Sequence, residues 1–186
     1  MIKDMKQKIL FKYQEYIDVW TDMIFEQLED IDNMLKVHGY EDTSDESFRA
    51  IVLLTFLSVN SLKVGSKISE SIREKIENDL KDNVVNTVFQ NSTNEMQSFK
   101  IAFNQKYDEY STLFAVVSNE MDAELVLLSF ARLLLNLIKV DKKNNELLIN
   151  INEELSKSLM NFNKLAKNSA ASLKIVGKPN FVIERD

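Results

Sequence analysis

Glycine and proline together supply four of the 186 residues, three Gly and one Pro, and that scarcity limits the possible folds more than any other feature of the chain. Tight β-hairpins need residues that tolerate positive φ, so a β-rich chain of this length would carry more glycine. The chain therefore reads as nearly all helix. Its loops fall to Asn, Asp and Ser, whose side chains bond nearby backbone groups and favour caps and turns.

Apolar spacing supports this. Ile2, Met5, Ile9, Tyr13, Tyr16, Trp20, Ile24, Leu28, Ile31 and Leu35 recur in steps of three and four, which predicts a first helix from the N-terminus to about Val37. His38-Gly39 should close it, with Gly39 in the left-handed cap. Thr43 and Glu46 stand in capping-box spacing before a second helix, about Ser44 to Val64, that is apolar around most of its circumference and ends or kinks at Gly65. A third carries Ile68, Ile72, Ile76, Leu80, Val84 and Val88 at four-residue steps; such a stripe drifts around the helix and predicts an oblique crossing or a break near Asp82-Asn83. Ser92 and Glu95 form another capping-box pair, opening a fourth helix through Met96, Phe99, Phe103, Tyr107, Tyr110 and Phe114, with a turn near Ser118-Asn119. The fifth is expected at about Glu120 to Val140, and the sixth on Leu147, Ile151, Leu155, Leu159, Phe162 and Leu165. After Ala171, two β-branched runs flank Gly177 and Pro179 and fit a hairpin, an extended arm or a tail.

The expected fold is an all-α bundle of about six helices, with residues 1–172 as a single helical domain and 173–186 as the C-terminal arm. The segment "KYQEYIDVW" (12–20) is echoed by "KYDEYSTLF" (106–114), at an offset that also aligns Ile2, Met5 and Ile9 with Met96, Phe99 and Phe103. The register fails beyond Glu26 and Glu120. Two similar three-helix halves are one reading of the echo; two amphipathic helices that need the same face are the other. Tyr13, Tyr16 and Trp20 share one helical face at i, i+3 and i+7, as do Tyr107, Tyr110 and Phe114, and both sets read as core rather than as a ligand cage.

Composition narrows the function. With 45% hydrophobic and 28% charged residues the chain can form a core, so it is not a disordered polymer. Zero cysteines exclude a disulfide framework, a thiolate nucleophile and a cysteine metal site, and fit a reducing compartment. The N-terminus lacks the uninterrupted apolar run of a secretory signal, and the stretches 50–59 and 125–138 fall short of the roughly 20 residues that cross a bilayer. A cytoplasmic location and no membrane partner are expected. The net charge of −6 and pI near 5.0 oppose direct nucleic-acid binding, which needs cations against phosphates. Met1 to Phe48 holds five lysines against twelve carboxylates, whereas basic residues outnumber acidic ones from Ala123 onward. Such an acidic face steers a basic partner or is simply solvated.

The search for chemistry yields little. The one histidine, His38, suits a C-terminal cap that interacts with the helix dipole; it cannot supply a ferritin-like di-iron site or a His-based zinc site. Glycines at 39, 65 and 177 alone exclude phosphate-binding loops, and no serine stands in a nucleophile elbow. An oxygen-only Mg²⁺ or Mn²⁺ site is left to Glu26, Glu29 and Asp30, with Glu120 and Glu124 elsewhere. That Glu-x-x-Glu spacing resembles one half of the all-helical nucleotide pyrophosphohydrolase motif.

The sequence thus points to a non-enzymatic helical protein-interaction module, such as an acidic regulator, inhibitor or immunity-type factor. It would need no cofactor, and its partner would be another protein, with a basic surface favoured. Two alternatives stand beside it. One is a Mg-dependent pyrophosphohydrolase-like enzyme using Glu26, Glu29 and Asp30; the other is a homodimeric assembly component whose interface is the long first helix.

Overall fold

A computed structural model describes residues 8–65, 68–89, 93–117, 123–135, 145–171, 173–177 and 180–184. Among them the chain forms strand β1 (Lys8–Lys12), helices α1 (Tyr13–Val37), α2 (Ser44–Gly65), α3 (Glu70–Val88), α4 (Thr93–Val117), α5 (Ala123–Leu134) and α6 (Asn145–Ala171), then strands β2 (Leu173–Gly177) and β3 (Asn180–Glu184). The architecture is an all-α bundle with one small sheet where its two ends meet.

The middle of the bundle is α2, and all five other helices pack on it. Every residue from Ala50 to Val59 is buried, which explains why this helix is apolar on all sides. Thr55, Ser58 and Ser61 are buried with it, and each donates its hydroxyl hydrogen to the carbonyl four residues back, Ile51, Leu54 and Leu57, at 2.8 to 2.9 Å. No polar group on this stretch needs a partner from another helix, and the small side chains let the neighbours come close. By length and composition Ser44–Val64 would cross a bilayer, but 67% of its most apolar window is buried inside the bundle.

Aromatic rings fill the space between α2, α4 and α5. Phe56 of α2 meets Tyr107, Phe114 and Phe130 at centroid distances of 5.7, 5.4 and 6.3 Å, and Tyr110 meets Phe130 edge-on at 5.5 Å. These geometries suit the aromatic quadrupole.

One expectation needs correction. The first helix begins at Tyr13, not at the N-terminus: Lys8–Lys12 is a strand, although Ile9 fits the helical period. It pairs antiparallel with β3, Lys8 opposite Glu184 through Lys12 opposite Asn180. β3 pairs in turn with β2, giving the order β1-β3-β2 with an irregularity between Ile175 and Gly177. The C-terminal segment is therefore a hairpin, and it binds the chain's other end instead of projecting as an arm. A distant strand partner outweighs a helical spacing that extends over only two turns. Helix α3 continues through Asp82-Asn83 without the break that was one of its two expected outcomes, with Leu80, Val84 and Val85 buried on both sides of that pair. Helix α5 is described over Ala123–Leu134, within the span expected for it; residues 120–122 and 136–140 lie outside the described residues. Ser92 and the Ser118-Asn119 turn lie outside the described residues.

Helices α1, α2 and α3 each lie against the other two; α4 lies mainly on α2 and α3, and α5 on α6 and α2, with α4 and α5 meeting through Tyr110, Phe114 and Phe130.

Candidate functional site

The first helix sorts its residues by face. Tyr16, Ile17, Trp20, Ile24, Ile31 and Leu35 are buried, and Tyr16 meets Trp20 edge-on at 5.9 Å. On the outward side, Glu15, Asp18, Asp22, Glu26, Glu29 and Asp30 are exposed, and no Lys or Arg intervenes between Lys12 and Lys36. The helix starts with the Lys12 backbone N–H donating to Glu15 Oε2 at 2.9 Å.

Its end is set by Gly39 at φ +89°, with the Gly39 N–H bonded to the Lys36 carbonyl at 3.0 Å and the Tyr40 N–H to the Leu35 carbonyl at 3.1 Å. This is the paired bond pattern of a Schellman cap, which the sequence had foreseen at the right glycine. His38 occupies the cap position, as expected. Its Nε2 also lies 3.1 Å from Glu154 Oε2 on α6, a partner that no local pattern could reveal.

The reversal at Gly39 brings Glu41, Asp42, Thr43 and Ser44 back beside the last turns of α1. Asp32 there accepts the Thr43 hydroxyl and the Ser47 hydroxyl, the latter at 3.2 Å, while Lys36 Nζ stands 2.5 Å from its other oxygen. The Lys36 and Thr43 bonds hold its carboxyl below the usual range despite some burial, with help from Ser47 and the Lys36 charge. The carboxylate also sits at the N-terminal end of α2, where the helix dipole favours an anion. Asp42 accepts the Ser44 backbone N–H at 3.0 Å and the Ser44 hydroxyl, and these bonds likewise lower its pKa. The groups read as a capping box are engaged otherwise: Thr43 gives its hydrogen to Asp32, and Glu46 accepts from Arg49 Nη2 at 3.0 Å.

Between α1 and this reversal lies an open groove of about 910 Å³. Among the described residues, Asp22, Glu26, Glu29, Asp32, Glu41 and Asp42 line it with Lys36 as the one cation, and Phe25 and Leu28 supply half-buried apolar surface. Of the residues expected to hold a metal, Glu26 and Glu29 face the groove and Asp30 does not. Among the described residues, no three His, Asp or Glu side chains gather in a way that would hold an ion. Glu120 lies outside the described residues, as does the side chain of Glu124.

The tyrosines of the repeated segment belong to the core. Tyr16, Tyr107 and Tyr110 are buried, and burial first of all pushes their pKa values far up; the Glu77 carboxylate adds to this at Tyr107. They stay neutral phenols near neutral pH and offer no acid–base chemistry there.

The sequence located the acidic helix but not the groove. Glu41, Asp42, Thr43 and Ser47 contribute to it only because the chain turns back at Gly39. Compared with protein-family models, with curated proteins and with solved structures, the chain has no match in any of the three.

Proposed function

We propose that this chain is a non-enzymatic protein-interaction module, an acidic regulator, inhibitor or immunity-type factor, whose groove along α1 receives a cationic segment of another protein in the cytoplasm. One observation carries this reading: among the described residues, six carboxylates and one lysine line a groove to which Phe25 and Leu28 add apolar surface. Lys36 is already committed to Asp32, so its charge does little to offset the other five carboxylates. An amphipathic basic helix fits this lining, with an apolar side chain on Phe25 and Leu28 and Lys or Arg toward the rims. Long-range attraction would speed its encounter, and binding would weaken as salt screens the charges.

The same face disfavours the homodimer reading, because two copies packed through α1 would set carboxylate against carboxylate. The pyrophosphohydrolase reading has only Glu26 and Glu29 of its three residues on the groove.

The test is to capture partners from the native host and measure the affinity of each for the wild-type chain and for Asp22→Asn/Glu26→Gln/Glu29→Gln. A cationic partner whose affinity falls at least tenfold in the variant, and falls with salt, is the expected outcome. Equal binding by the two chains, or chemical-shift changes confined to helices other than α1 and the start of α2, would overturn the proposal.

A further inference from the structure

We draw no further inference here: the strongest candidate, the acidic groove between α1 and the N-terminal end of α2, belongs to the site already described, and its hydroxyls are engaged within the cluster, so nothing there names a ligand beyond the charge already used.

Discussion

Tyr13 of α1 donates its hydroxyl hydrogen to Asp79 Oδ2 of α3 at 2.5 Å, while Lys75 bonds the same oxygen and holds its ammonium 4.4 Å from the Tyr13 ring centroid. A second tyrosine from the other repeated segment meets α3 in a related way: Lys81 lies 4.6 Å from the Tyr107 ring, with Glu77 beside the same phenol. The polar helix α3 is thus held on both flanks by tyrosines over its own ion pairs. Replacing Tyr13 by Phe keeps the ring and removes the hydrogen bond, and should cost about 1 kcal/mol, with Tyr13→Ala costing more. Urea unfolding measures both; equal losses would mean that the ring contributes nothing.

Acid should destabilise the fold through Asp32 and Asp79. Burial works to raise the Asp79 pKa, but hydrogen bonds from Lys75 and Tyr13, with the Lys75 charge, hold it below the ordinary value, as Lys36 and Thr43 do for Asp32. A folded-state pKa below the unfolded one contributes stability that is present above the unfolded value, about 4, and is lost as pH falls through the folded value. Urea midpoints from pH 7 down to pH 2 should therefore fall more steeply for the wild type than for Asp32→Asn/Asp79→Asn. The two curves should approach each other at the acid end; parallel curves would place the acid sensitivity elsewhere.

Gly39 permits a clean separation of strain from crowding. A Cβ added there meets nothing within 4 Å, so Gly39→Ala suffers only from its φ of +89°. The expected loss is about 1–2 kcal/mol, smaller for Gly39→Asn, which tolerates this region better. Thermal melts of the two variants give the order, and an Asn variant less stable than the Ala variant would contradict it.

Phe56 should be the most sensitive aromatic position, because its ring joins α2 to α4 and α5. Phe56→Ala should cost about 3–5 kcal/mol through lost burial and the remaining cavity, a large part of a typical domain's stability. Near-ultraviolet circular dichroism and denaturant titration report it; a loss below about 1 kcal/mol would show that the cluster repacks freely.

The acidic face of α1 should lower the stability of the isolated chain. Glu26 has Asp22 and Asp30 as i±4 neighbours, and like charges at that spacing are unfavourable by tenths of a kcal/mol. Glu26→Lys converts both pairs to attractions and should stabilise the isolated chain by roughly 1 kcal/mol at low salt while weakening partner binding. A variant that melts lower than the wild type would show that Glu26 makes a stabilising contact in the folded chain.

Much of the fold was legible because helices announce themselves locally. The apolar spacing through Tyr16, Trp20, Ile24, Ile31 and Leu35 marked the buried face of α1, and the only glycine near its end marked the cap. The error at Lys8–Lys12 came from the same rule: three or four apolar residues fit a helix and a strand equally, and the deciding partner, Asn180–Glu184, lies at the other end of the chain. The groove was half legible. Asp22, Glu26 and Glu29 stand on one helix, but whether they surround a space depends on where the next segment lies.

Spacing and composition by themselves determined that this protein is a helical bundle, which face of α1 is buried, and that α1 presents a negative surface, because each follows from the 3.6-residue period and from residues within a few turns of one another. The same spacing placed Val88 of α3 and Leu165 of α6 on apolar stripes, and both are exposed. Tertiary structure alone decided the rest. That Asp32 anchors the start of α2, that Glu154 reaches His38, and that the two chain ends share a sheet all depend on contacts between residues far apart in sequence, which form only when burial of the shared core brings them together.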